Sequence, residues 1–135
     1  MKTQYIIRVL ALSAAAAYAQ DALFQTEFQT PSGNIVCGGG ESLSCYVKER
    51  NGDPALPRPK DCPLDWGGFF HLPAEGKTEM KCVGDYPFSA KPAVLAYNET
   101  VKNENWQCTS RQDGLYCTNL QHHGFLLNRQ EQILF

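Results

Sequence analysis

Trp106-Gln107-Cys108-Thr109-Ser110-Arg111-Gln112-Asp113-Gly114-Leu115-Tyr116-Cys117-Thr118 reads as a β-hairpin closed by a disulfide. Asp113-Gly114 has the chemistry of a tight turn, because glycine accepts the positive φ that hairpin turns demand. Eight residues separate Cys108 from Cys117. This even-length connection brings the two cysteines to facing, non-hydrogen-bonded positions on neighbouring antiparallel strands. A weaker echo lies upstream, where Asn34-Ile35-Val36-Cys37 runs into Gly38-Gly39-Gly40 and returns to Cys45. The glycines are expected to form the turn that closes Cys37 on Cys45. The echo is too short to indicate a duplication.

Turn chemistry recurs along the chain at Pro31-Ser32-Gly33-Asn34, Asn51-Gly52-Asp53-Pro54, Trp66-Gly67-Gly68 and Pro73-Ala74-Glu75-Gly76, leaving few intervals long enough for a helix. Between the turns lie short runs rich in β-branched and aromatic residues at 24–30, 35–37, 43–47, 69–72, 78–83, 94–97, 106–109, 115–118 and 125–127, each the length of a strand. Phe24, Thr26 and Phe28 alternate with Gln25 and Glu27, as Met80 and Cys82 do with Glu79 and Lys81, so each strand has an inward and an outward face. The expected fold is all-β or mostly β, a small disulfide-stapled sandwich or barrel of short antiparallel strands. Residues 48–63 carry Pro54, Pro57, Pro59 and Pro63, which remove donors and fix φ, so an extended surface loop tied down at Cys62 is expected there.

Residues 1–19 have the form of a signal peptide. Lys2 and Arg8 accompany an apolar run through Leu10, Leu12 and the Ala14 to Ala17 tract, which ends in Ala17-Tyr18-Ala19, the small-x-small pattern of a cleavage site. The mature chain is then a single disulfide-stabilised β domain of residues 20–135, exported to the periplasm or the exterior, with no cysteine at the cut to carry a lipid. All six cysteines, Cys37, Cys45, Cys62, Cys82, Cys108 and Cys117, lie downstream of that cut and meet an oxidising compartment, where three disulfides are the natural state. Six cysteines allow fifteen pairings; the two hairpin spacings favour Cys37 to Cys45 and Cys108 to Cys117, which leaves Cys62 to Cys82. Zinc is the alternative for cysteines accompanied by His71, His122 and His123, but no C-x2-C pair occurs and no metal or other cofactor is expected.

The leader holds two of the 12 basic residues and none of the 14 acidic ones, so the mature charge is 10 minus 14, or −4. Its Lys and Arg are scattered; Lys48, Arg50, Arg58 and Lys60 come nearest to a cluster, among prolines and acids. Nucleic acid is therefore not an expected partner, and no apolar stretch after the leader is long enough to span a membrane.

His122-His123-Gly124-Phe125 followed by Arg129 is the most reactive-looking stretch. In a catalytic reading one imidazole acts as general acid or base, Arg129 clamps an anion, and Glu79, Asp85 or Glu131 supplies a carboxylate, a set suited to phosphodiester cleavage. Adjacent residues of an extended chain face opposite ways, so only one of the two histidines would serve. In a structural reading the histidine is a hydrogen-bonded corner residue, Gly124 answers a need for positive φ or close backbone approach, Phe125 anchors the core and Arg129 sits in a buried-edge ion pair. Ser32, Ser44 and Ser110 lack the G-x-S-x-G elbow of a nucleophile. Trp66, beside Gly67-Gly68, and Tyr86, beside Pro87, are the candidate binding residues, since aromatics on loops anchor interaction surfaces. Asn98-Glu99-Thr100 is a formal glycosylation acceptor, relevant only in a eukaryotic host.

Pro31-Ser32-Gly33-Asn34-Ile35-x-Cys37, Trp66-Gly67, Cys82, Leu95-x-Tyr97, Cys108-x-Ser110, Gly114-Leu115-x-Cys117-Thr118-Asn119 and His123-Gly124-Phe125-x-x-x-Arg129 together resemble a family of small exported bacterial proteins of unknown function. The resemblance covers nearly the whole mature chain and implies a periplasmic or secreted, disulfide-bearing domain; it implies no activity, ligand or catalytic residue. Asn98 stands where that family is expected to have glycine, and Asn128 where serine is expected; asparagine tolerates the left-handed region, so the first exchange keeps the turn. The function expected on these grounds is a non-catalytic exported binding or interaction module, its partner another exported or envelope protein. The alternatives are a small secreted hydrolase using His122 or His123 with Arg129, and a secreted enzyme inhibitor presenting residues 48–61.

Overall fold

A computed structural model describes residues 26–135, so the leader and the start of the first predicted strand lie outside the described residues. Eleven strands are present among the described residues: β1 (Thr26–Gln29), β2 (Ile35–Gly39), β3 (Leu43–Val47), β4 (Phe69–Leu72), β5 (Glu79–Met80), β6 (Ala93–Val94), β7 (Thr100–Lys102), β8 (Trp106–Arg111), β9 (Gly114–Asn119), β10 (Gly124–Leu127) and β11 (Gln132–Leu134). They form a six-stranded sheet in the order β5-β4-β3-β2-β1-β6 and a five-stranded sheet in the order β11-β10-β9-β8-β7. All pairings are antiparallel except β1 with β6. The fold is thus an all-β pair of sheets and not a closed barrel.

The alternation of each strand puts one set of side chains between the sheets. Phe28, Cys37, Cys45 and Phe70 from the six-stranded sheet pack with Trp106, Cys108, Leu115, Cys117, Phe125 and Leu127 from the other in one buried cluster. Phe70 meets Phe125 across the interface with ring centroids 6.2 Å apart, and Phe28 stacks on Trp106 at 6.4 Å. Cys37 faces Cys45 and Cys108 faces Cys117 in register, each pair bridged with its Cα atoms 4.1 Å apart. That separation matches the close approach of a non-hydrogen-bonded antiparallel pair. The third bridge joins Cys62 to Cys82 and fastens the proline loop beside the six-stranded sheet.

Several local expectations change. Gly38 and Gly39 lie within β2, and the reversal falls on residues 40–42. A Cβ at Gly39 would lie 2.2 Å from the Trp106 ring, so glycine serves core packing there and not the turn. The run at 78–83 yields only the two-residue β5, after which Asp65 and Val83 form an isolated bridge; Cys82 lies outside any strand. Residues 95–97 leave the sheet for a turn in which Asn98 adopts φ 73°, the left-handed conformation that asparagine tolerates. Strands β7 and β11, three residues each, are too short to carry a run of apolar alternation.

The six-stranded sheet also has a covered outer face. Val36, Phe69 and Phe88 are buried there with Tyr46 and Val83 packed against them. No helix long and apolar enough to cross a membrane occurs among the described residues.

Candidate functional site

β10 separates the two halves of the His-Gly-Phe to Arg stretch. His122 and His123 precede it and Arg129 follows it, so a strand length of roughly 13 Å lies between them. The two histidines are not in extended chain. His122 closes the β9–β10 turn at φ 63°, exposed, with its N–H donating to Asn119 O at 3.1 Å. His123, partly buried, donates its N–H to Asn119 Oδ1 at 3.1 Å. Gly124 is fixed by close approach: a Cβ there would lie 1.8 Å from Cys117 O. Phe125 is fully buried in the shared core.

Arg129 pairs with Glu49 at 2.8 Å, and the two side chains are 47% and 68% exposed. The ion pair is therefore on the surface, where solvent screens it, and not at a buried edge. The remaining acids are equally dispersed. Glu79 pairs with Lys81 at 3.2 Å, Asp85 borders a small cleft with Tyr46 and Tyr86, and Glu131 lies just past the β10–β11 turn, its N–H bonded to Asn128 Oδ1 at 2.7 Å. Among the described residues no group of three His, Cys, Asp or Glu side chains is placed to hold a metal ion.

A cavity of about 250 Å³ opens at the Arg129 end of the sandwich, lined by Thr30, Tyr97, Ser110, Arg111 and Arg129 among others. No imidazole reaches it. Arg111 is held by Asp113 through two bonds of 2.7 and 2.8 Å; that hydrogen bond holds the Asp113 carboxyl below its ordinary pKa. With Arg111 and Arg129 both engaged by carboxylates, no free cation remains there, and Ser110 has no neighbouring base to activate it.

The one serine–histidine hydrogen bond among the described residues lies elsewhere, on the outer face of the six-stranded sheet, where Ser44 Oγ is 3.2 Å from His71 Nδ1 across β3 and β4. Burial and then the charge of Lys81 lower the pKa of His71, with Glu79 opposing them. The contact sits on a sheet face, without the strand-to-helix elbow that exposes a serine nucleophile.

Trp66 and Tyr86 belong to this same side of the molecule. The Trp66 indole is half-buried against the core, and its Nε1–H donates to Leu56 O at 2.9 Å, so it pins the proline loop. Tyr86 is 46% exposed and meets Tyr46 and Phe88 edge-on at centroid distances of 5.6 and 5.2 Å. Burial, with Glu27 and Tyr46 nearby, raises its pKa. Between Trp66 and Tyr46 lies a cavity of about 310 Å³ bordered by Lys48, Arg50 and Arg58.

The sequence pattern of a known family matches residues 5–135. The chain belongs to DUF6636, a family of unknown function. No curated protein and no solved structure matches it. What can be read of this DUF6636 protein therefore rests on its own geometry, and that geometry includes residues which sequence reasoning passed over. Asn119, 7% exposed, uses its whole amide: Nδ2 donates to Pro73 O and Gly76 O, and Oδ1 accepts from the N–H groups of Gln121 and His123. It locks the β9–β10 turn to the loop before β5, the corner role foreseen for a histidine. Of Lys48, Arg50, Arg58 and Lys60, the nearest approach to a basic cluster in the sequence, the first three line one cavity; Gly67 and Gly68, lacking Cβ atoms, leave room there for Arg50 and Tyr46.

Proposed function

We propose that this DUF6636 protein is an exported, non-catalytic binding module, acting in the periplasm or outside the cell, that presents the outer side of its six-stranded sheet to a partner. The observation that carries this reading is the dispersal of the reactive candidates. A positioned acid or base must lie within hydrogen-bond reach of its work, yet the histidines of 122–123 and Arg129 flank opposite ends of β10 and Arg129 is occupied by Glu49. By contrast, Tyr86 and most of residues 48–61 are exposed on a scaffold tightened by the Cys62–Cys82 bridge. Loops on rigid scaffolds are where recognition concentrates. A secreted inhibitor is one form of the same reading, with residues 48–61 as its contact loop. Three disulfides and the leader-like start support export.

Two measurements test the proposal. The oxidised protein, incubated with RNA and with bis(4-nitrophenyl) phosphate, is expected to give no turnover above buffer; turnover that falls about 10²-fold in His123→Gln, with melting unchanged, would promote the hydrolase. A photo-crosslinking side chain at Tyr86 is expected to capture a partner in the exporting cell, while the same probe at Thr109, on the opposite face, captures none. Equal capture at both positions would count against this face.

A further inference from the structure

The cavity between Trp66 and Tyr46 is cationic in a protein that is otherwise acidic. Lys48, Arg50 and Arg58 line it, with Asp65 as the one carboxylate on its wall, a surplus of two positive charges. Ion pairs among the described residues engage Lys81, Arg111 and Arg129; none of the cavity's three cations has a carboxylate within ion-pair distance. Two of them are nevertheless held in place. Arg58 Nη2 donates to Cys62 O at 2.9 Å and to Leu64 O at 2.6 Å, and Arg50 Nη2 reaches Trp66 O at 3.4 Å. The Arg50 guanidinium occupies the space that a side chain at Gly67 would need, since a Cβ there would lie 2.6 to 2.9 Å from its nitrogens and Cζ. Neutral carbonyls orient a guanidinium without cancelling its charge, and they leave Nε and Nη1 of Arg58 and most of the Arg50 fork without protein acceptors. The Cys62–Cys82 bridge fixes the loop that carries Arg58. Charged donors positioned before any ligand arrives are what a binding site needs to avoid the cost of ordering them.

We infer that this cavity binds a tetrahedral oxyanion, a phosphate or sulphate group, free or carried as an ester on a small molecule. Two guanidinium forks and an ammonium offer more donors than the two oxygens of a carboxylate accept, whereas a phosphate or sulphate presents oxygens in several directions. A volume of about 310 Å³ lies at the lower end of the range for small-molecule sites, which suits one anionic group with a small substituent and not a polymer groove. Tyr46 on the wall, with Tyr86 edge-on beyond it, gives such a substituent an aromatic surface. This inference names the ligand class of the binding face proposed above and rests on that reading.

Titration of the oxidised protein with inorganic phosphate and with inorganic sulphate, by calorimetry and by melting temperature at constant ionic strength, tests it. One saturable site is expected for each anion, with melting raised as bound ligand requires. Lys48→Gln and Arg58→Gln should each weaken binding about tenfold or more, while Lys102→Gln, on β7 of the other sheet, leaves it unchanged. The Lys48 side chain is exposed and only its backbone N–H is bonded, to Asn34 O, so its variant keeps the fold even if Arg58→Gln loosens the loop. A glucose 6-phosphate arm separates the sources: tighter binding than phosphate assigns an ester, equal binding a free anion. Stabilisation that is the same in wild type and in Lys48→Gln, or lost equally in Lys102→Gln, means an adventitious ion only and overturns the site. Absence of anion binding without phosphodiester turnover removes this inference alone; histidine-dependent turnover removes the binding-module reading itself.

Discussion

The β2–β3 and β8–β9 hairpins are built on one local plan and end in different surroundings. Each places two cysteines face to face, eight or nine positions apart in sequence, with Cα atoms 4.1 Å apart and no exposure. On the inner side they are equivalent contributors to one core. Their outer sides diverge. β8 alternates buried and open residues, with Gln107 and Arg111 in solvent, whereas β2 is buried at all five positions. Val36 is fully enclosed because Phe69 and Phe88 lie over that face, stacked at 6.1 Å. Arg111 over the Tyr116 ring, 5.0 Å from its centroid, is the corresponding cover on the other sheet, and it is wet. A hairpin code fixes the register and the bridge; a distant segment decides whether its outer face meets water.

The largest effect expected tests the shared inner core. Phe125→Ala, which removes a fully buried ring packed on Phe70, should cost about 3 to 5 kcal/mol in denaturant unfolding. A loss below about 2 kcal/mol would mean that the two sheets do not share that contact.

Replacing Cys37 and Cys45 together by serine, or Cys108 and Cys117 together, should cost nearly the same, roughly 2.5 to 3 kcal/mol each, because the closed loops differ by a single residue. Losses that differ by more than about 1 kcal/mol would break the equivalence of the hairpins. Peptide mapping without reductant checks that the remaining bridges keep their partners.

Phe88→Ala strips the cover from β2 and should cost about 2 kcal/mol, less than Phe125→Ala, since an outer loop relaxes into the space more readily than a core between sheets. Exposure of Val36, read by hydrogen exchange along β2, should rise with it; unchanged protection there would place the cover elsewhere.

The histidine on the covered face gives a pH signature. His71 has its pKa lowered from 6.5 in the folded protein, chiefly by burial and then by Lys81, so the unfolded chain takes up its proton first. Its contribution is complete above pH 6.5 and is lost as pH falls through that value toward the folded pKa. His71→Gln should therefore melt with a shallower decline between neutral and mildly acid pH than the wild type. An identical decline in both would assign the acid sensitivity to other groups.

Smallest is Arg129→Ala, expected to change stability by less than about 1 kcal/mol because its ion pair with Glu49 is exposed. A larger loss, abolished when Glu49 is also removed, would show that the pair is worth more than its exposure allows.

The legibility of this protein follows the range of the interactions involved. β3 and β4 match their predicted runs residue for residue, and β8, β9 and β10 extend theirs by one or two positions, because period-two burial and turn residues act within a few positions of one another. β7 and β11 were illegible: Thr100-Val101-Lys102 and Gln132-Ile133-Leu134 are edge strands, defined by a neighbour's unpaired backbone more than by their own side chains. Gly39 misled because a glycine that admits the Trp106 ring and one that turns the chain are written with the same letter.

At the site the same limit applies. The sequence by itself determined the all-β class, the two cysteine-closed hairpins and the irregular course of the proline loop, since turn propensity, alternation and fixed φ are local properties. Only the tertiary structure decided that the histidines of 122–123 and Arg129 stand at opposite ends of β10, that Phe88 roofs one sheet, and that Arg50 and Arg58 converge beside Lys48 under Trp66. Those are relations between segments many positions apart, set by which sheet edges pair and which faces are buried together, and no short window of sequence contains both partners.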